Sequence, residues 1–351
     1  MLECRGYAAQ SADEALKPFS FKRRDVGPKD VRIAIAYCGV CHSDIHMARN
    51  EWRSTIYPCV PGHEIVGEVV EVGSAVTRFK KGDLAGVGCL VDSCGHCQSC
   101  QEGLEQYCET GSTMTYGSDD PEMGTPTFGG YSDAIVVTEK FALNIPKNLD
   151  LAAAAPLLCA GITTWSPLRH WKAGPGTRVG VIGLGGLGHM ALKLGRALGA
   201  EMTLFTTSQG KVEDARQLGA HHVVMSKDKE EMAQCAGKLD LIIDTVAVKH
   251  PVEPYLATLK REGVLVFVGL PEDPLGFMPM DLASKRRSMS GSFIGGIPET
   301  QEMLDFCGKH NITSDIEMIA IKDIESAYGR MLKSDVKYRF VIDLKTLEKA
   351  A

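Results

Sequence analysis

At 351 residues the chain is long for one hydrophobic core, so two domains are expected. Charged residues make up 23% with a net charge of −6 and no basic stripe, which excludes nucleic acid as the main partner and leaves small-molecule chemistry. There is no apolar run of about eighteen residues and no charged-then-apolar start, so no membrane span is expected. Twelve cysteines in a chain this long, several at metal-type spacing, point to metal binding in a reducing, cytoplasmic setting and not to a disulfide framework.

Residues 29–90 are rich in Val, Ile and Gly with repeated turn signals, as in Val31–Ala36 and Gly67–Gly73. They predict short antiparallel strands in a barrel-like core. Inside this block stand Cys41-His-Ser-Asp-Ile-His46 and Pro61-Gly-His63-Glu64, offering one thiolate and several imidazoles. A catalytic zinc keeps three protein ligands and one position open, so this incomplete set suits catalysis better than a closed structural site. Which of Cys4, Cys38, Cys59, Cys89, Cys159, Cys235 or Cys307 would complete it is not decided by spacing.

Next comes Cys94-Gly-His-Cys97-Gln-Ser-Cys100, followed by Cys108. That spacing places four thiolates on one zinc with no room for substrate, a structural site. It matches neither familiar ferredoxin arrangement. Residues 109–130 hold many Gly, Ser, Thr, Asp and Pro and are expected to form a loop beside the metal loop.

From Leu151 the texture changes to alternating helices and strands, with Val179–Ile182, Met202–Phe205, His222–Met225, Leu239–Asp244 and Gly263–Gly269 as parallel strands of a doubly wound domain. Gly183-Leu-Gly185-Gly186-Leu187-Gly188 follows the first of these and opens an apolar helical run from Leu187 to Leu198. That context makes it a dinucleotide fingerprint, with the pyrophosphate at the helix N-terminus. An NAD enzyme carries an acidic residue about twenty positions further on. This chain reads Thr206-Thr207-Ser208-Gln-Gly-Lys211 there, hydroxyls and an ammonium that favour the 2′-phosphate of NADP, although a shifted register would bring in Glu201. A last strand is expected over Lys337–Asp343.

The ordered set Gly39-Val-Cys41-His-Ser-Asp44, Pro61-Gly-His63-Glu64, the four-cysteine loop, Pro156-Leu-Leu-Cys159-Ala-Gly161, the glycine fingerprint and Gly291-Ser-Phe-Ile-Gly-Gly296 resembles the zinc-dependent medium-chain alcohol dehydrogenases over nearly the whole chain. Within them it is closest to the cinnamyl-alcohol-dehydrogenase group and its bacterial broad-specificity NADPH-dependent aldehyde reductases. The resemblance implies an α/β fold: a GroES-like β-rich catalytic domain over 1–160, to which 294–351 returns, and an inserted Rossmann domain over 161–293. It also implies reversible reduction of aldehydes to primary alcohols by hydride from NADPH, two zinc ions per chain, and a homodimer.

Residue by residue, the resemblance nominates Cys159 to join Cys41 and His63 on the catalytic zinc, with Asp44 orienting His63 and Glu64 approaching the metal during ligand exchange. Ser43 and His46 match a proton relay. Thr163 matches a residue under the nicotinamide, His42 and Arg339 groups facing the pyrophosphate, and Ser292 and Ile294 the border of the nicotinamide pocket. One departure stands out: plant members place a tryptophan after the zinc cysteines, where this chain reads Thr113-Met114-Thr115-Tyr116, which does not support lignin-type substrates. Trp52 is either an aromatic wall or a core residue. The rival readings are a zinc-free quinone reductase of the same fold and a non-catalytic zinc-binding scaffold.

Overall fold

A computed structural model describes residues 1–120 and 122–349. The chain divides into two compact units, Met1–Cys159 with Gly295–Ala351, and Ala160–Ile294.

In the first unit a seven-stranded sheet runs in the order Ile316–Ala320, Arg339–Asp343, Asp30–Val40, Ile65–Val72, Leu84–Val87 and Leu143–Asn144, with Ala134–Thr138 also paired to Asp30–Val40. Pairing is antiparallel except between the first two strands. Val31, Ile33 and Ile35 alternate into the core at 0%, 0% and 6% exposure. β-branched side chains at a period of two make this a half-buried strand. The strand runs on to Val40, past the expected end at Ala36, and so delivers Cys41 at its tip. The expected strand over Lys337–Asp343 is shorter, starting at Arg339.

The described residues of 109–130 are more structured than their composition predicts. Thr113–Met114 pairs with Leu90–Asp92. The Thr127 hydroxyl accepts from the Ser118 amide at 3.0 Å and donates to the Met114 carbonyl at 3.0 Å. Hydroxyls that bond nearby backbone close such turns without any apolar pattern.

The second unit is a six-stranded, wholly parallel sheet ordered His222–Met225, Glu201–Thr206, Arg178–Ile182, Leu239–Asp244, Leu259–Phe267, Ser288–Gly291. The order reverses between Arg178–Ile182 and Leu239–Asp244, and ligands of doubly wound sheets bind outside the carboxyl ends at such a point. Gly183 leaves the strand at φ 89°, a left-handed turn. A Cβ on Gly188 would stand 2.1 Å from the Gly183 carbonyl oxygen, so only glycine lets the helix Gly186–Ala197 start so close to its strand. Among the described residues no single helix is long and apolar enough to cross a membrane.

Candidate active site and zinc centres

Cys41 is the N-cap of the short helix His42–Ala48, and its amide donates to the Asp44 carboxylate at 2.7 Å. Cys41, His63, Glu64 and Cys159 are buried, and one donor atom from each lies within 4.8 Å of the others. The Cys41 and Cys159 sulfurs are 3.8 Å apart. Tetrahedral zinc with bonds of about 2.3 Å to sulfur needs sulfurs about 3.8 Å apart, so the residues fit the metal. His63 Nε2 is buried with no hydrogen-bond partner. Leaving such an atom unsatisfied costs about 1–3 kcal/mol, which a metal bond removes. The other ring nitrogen, Nδ1, faces Asp44 Oδ1 at 3.9 Å, which directs Nε2 to the metal side.

The hydrogen bond from Cys159 holds the Cys41 thiol well below the usual thiol range, while Cys159, keeping the shared proton, is pushed well above it. A divalent cation resolves that competition by taking both sulfurs as thiolates. Burial pushes the Glu64 carboxyl up to about 8 against the pull of Arg339, whose Nη1 lies 3.2 Å from Glu64 Oε1. Arg339 also donates to the Val40 carbonyl at 3.2 Å and is 4% exposed. A guanidinium in this core needs a carboxylate beside it, and Glu64 supplies one.

Ser43 Oγ lies 3.6 Å from the Cys41 sulfur, beside the metal position. His46 follows at i+3, on the same helix face. Its Nδ1 meets Glu51 Oε2 at 2.5 Å, and its ring stacks on Trp52 at 5.0 Å. Trp52 is 38% exposed, so it is not a core residue. The turn after the helix, in which the Glu51 amide donates to the His46 carbonyl at 2.9 Å, folds both partners back onto the imidazole. His42 is exposed.

In the loop, the sulfurs of Cys94, Cys97, Cys100 and Cys108 also lie within 4.8 Å of one another, with Cys94 to Cys100 at 3.9 Å and Cys97 to Cys108 at 4.0 Å. Backbone amides of His96 and Cys97 bring the Cys94 thiol down to about 5. The Glu109 amide donates to the Cys97 sulfur at 3.5 Å. Amides aimed at sulfur are what bound thiolates require. Cys97→Ala is expected to act through stability, lowering the thermal midpoint by several degrees and losing one zinc, because structural zinc contributes folding energy directly. Thermal unfolding with and without a chelator checks it.

In the second unit Thr206 ends its strand at the carboxyl edge, and Glu201 begins it at the other. That settles the register: Glu201 is not the ribose residue, and instead accepts from His222 Nε2 at 2.8 Å. The Thr206 hydroxyl is buried and accepts from the Ser208 amide at 3.2 Å, so Thr207, exposed, and Ser208, half-buried, are the hydroxyls left for a 2′-phosphate. Lys211 Nζ donates to the Leu184 carbonyl at 2.8 Å, which draws the ammonium against the glycine turn. A Cβ on Gly185 would meet open space, the approach a pyrophosphate needs. Thr163 is 6% exposed in the helix Ala160–His170. Ser292 is half-buried, and Ile294 is buried at φ 41°.

Residues 27–147 match the model of the alcohol dehydrogenase GroES-like domain, and 186–309 that of the zinc-binding dehydrogenases. Aldehyde reductase YahK of Escherichia coli (strain K12) is 55% identical, over 99% of both chains. The chain belongs to the zinc-dependent medium-chain alcohol dehydrogenases. NADP-dependent alcohol dehydrogenase C 1 of Mycolicibacterium smegmatis is 55% identical over 97% of this chain and 98% of that one. A cinnamyl alcohol dehydrogenase from Sorghum bicolor superposes with a TM-score of 0.95 at 44% identity, covering 98% of each chain. A Helicobacter pylori CAD solved with NADP(H) gives 0.92 at 46% identity, covering 98% of this chain and 99% of that one. The fold is that of a medium-chain dehydrogenase of the cinnamyl-alcohol-dehydrogenase group, with a GroES-like unit and a Rossmann-type sheet. Two residues of this dehydrogenase's site escape motif reading. Tyr116 stacks parallel on the His63 ring at 5.6 Å, and Tyr131 donates to Asp44 at 3.1 Å.

Proposed function

We propose that this chain catalyses reversible reduction of aldehydes to primary alcohols with NADPH, on a zinc ion held by Cys41, His63 and Cys159. The observation that carries this reading is the buried, unpartnered Nε2 of His63 beside two sulfurs 3.8 Å apart. The Escherichia coli relative, an aldehyde reductase, and the Mycolicibacterium smegmatis relative, an NADP-dependent alcohol dehydrogenase, support the substrate class and the cofactor.

Bound at this site, zinc supplies Lewis acidity toward a carbonyl oxygen and NADPH supplies the hydride. The chain's own residues do the rest. Asp44 orients His63 through Nδ1, and Arg339 holds Glu64 away from a fully committed ligand role. Ser43 Oγ, beside the metal position, gives its proton to the forming alcohol oxygen and is resupplied from His46. Glu51 fixes Nδ1 of His46 as the protonated nitrogen, leaving Nε2 to exchange. A zinc-free quinone reductase would need neither metal cluster, and a scaffold would need no relay beside one.

The test is an aldehyde panel assayed with NADPH and with NADH, alongside zinc stoichiometry. NADPH-dependent turnover with two zinc ions per chain is expected; no turnover of any aldehyde would end the reading. Hydrogen bonds to charged groups contribute about 1.5–3 kcal/mol each. Two from Thr207, Ser208 or Lys211 favour NADPH by about 10² or more, at about 1.4 kcal/mol per tenfold. Thr206→Asp is expected to lower the NADPH-to-NADH ratio of kcat/KM by about tenfold or more, since a carboxylate at the strand end repels the 2′-phosphate and binds a bare ribose. Equal efficiencies in the parent would remove the NADP assignment.

The same reading makes the protein a cytoplasmic homodimer. Its support is the family resemblance together with the edge strand Ser288–Gly291 and Phe293, which is 41% exposed. Sedimentation at micromolar concentration tests the dimer.

A further inference from the structure

We propose that Tyr131 is a positioning residue for the catalytic zinc, holding through its phenol the carboxylate that orients His63. This inference rests on the metal reading above.

Asp44 is fully buried, and its carboxylate collects donors from the two segments that carry Cys41 and His63. The Cys41 amide donates to Oδ2 at 2.7 Å, and the Gly62 amide, just before His63, donates to Oδ1 at 3.0 Å. Tyr131 Oη adds a third bond, to Oδ2 at 3.1 Å. The two amides are tied to the backbone they belong to, so they move with the ligands. The phenol arrives from a different segment and ties the carboxylate to the core.

That segment is itself clamped to the one bearing His63. Gly129, Gly130 and Tyr131 donate from their amides to the carbonyls of Val60, Gly62 and Pro61 at 2.8, 2.8 and 3.0 Å. A Cβ on Gly129 would lie 2.3 Å from the Pro61 oxygen, so a side chain there would force the two strands of chain apart. Tyr131 is 0% exposed, which fixes its ring and holds the hydroxyl beside Asp44 Oδ2. Without that hydroxyl, the buried carboxylate loses a donor and a constraint on its rotation. Oδ1 then has less to keep it opposite His63 Nδ1, and the imidazole loses part of what aims Nε2.

Tyr131→Phe removes one oxygen and no carbon. Removing a group that orients a metal ligand costs on the order of 10–100-fold in metal affinity. The experiment is competition of the holoenzyme with a chromophoric zinc chelator, in which the loop zinc serves as internal reference, read in the parent, Y131F, D44N and the double variant. The expected result is one zinc bound on the order of 10–100-fold more weakly in Y131F, the loop zinc unchanged, and no added loss when Y131F is placed on D44N. Unchanged affinity in Y131F would overturn the proposal, as would an equal loss in both backgrounds, which is the signature of packing alone. A Y131F chain that failed to fold would overturn it too, since the hydroxyl would then be serving the core. A parent that held only the loop zinc would overturn the catalytic-metal reading and this inference with it, whereas a two-zinc parent with an indifferent Tyr131 removes this inference alone.

Discussion

Cys159→Ser is expected to leave one zinc per chain where the parent holds two, and to abolish aldehyde reduction. A serine hydroxyl stays protonated at neutral pH and replaces a thiolate ligand poorly, so Cys41 and His63 remain as an incomplete set. Lewis-acid polarisation contributes several kcal/mol to the transition state. At about 1.4 kcal/mol per tenfold, its loss lowers kcat/KM on the order of 10³ or more. The loop cysteines at 94, 97, 100 and 108 form a separate cluster, so their zinc and most of the thermal stability should remain. Metal analysis paired with activity checks both halves. One zinc per chain in active, unchelated parent enzyme would sink the two-site reading.

The second large effect is expected from Ser43→Ala. A positioned proton transfer is worth on the order of 10² to 10⁴ in rate. Ser43 Oγ lies 3.6 Å from the Cys41 sulfur, and its helix carries His46 one turn further on, so the hydroxyl is placed to exchange a proton and not to hold cofactor. Turnover should fall by that range while NADPH affinity, read by fluorescence titration, stays near the parental value. Single-turnover measurements remove any slower release step from view. A mutant that reduced aldehyde at the parental rate under those conditions would show that the proton takes another route.

Much of this site is legible in the order of residues because its chemistry is carried by local spacing. The four loop cysteines fall within fifteen positions, and a metal can gather them whatever the surrounding fold. The glycine fingerprint is equally local, since turn, close approach and helix start are decided by neighbours. The alternating Val31, Ile33 and Ile35 declare a strand because pleating puts every second side chain on one face. The family resemblance then reached Cys159, which lies 118 positions from Cys41 and which spacing alone left among several candidates.

Tertiary structure decided what depends on partners far apart in the chain. Arg339 reads by resemblance as a group facing the pyrophosphate, and nothing in the order of residues sets it beside Glu64, the carboxylate 275 positions away that it meets in the fold. Tyr131 stands in no motif, and only the pairing of residues 129–131 with 60–62 brings its hydroxyl to Asp44. Thr206 offers a hydroxyl on paper, but the turn after its strand draws that hydroxyl to the Ser208 amide. The physical reason is the same in each case. A buried polar group must find a partner, and which partner it finds is set by the packing of distant strands and not by its neighbours in sequence.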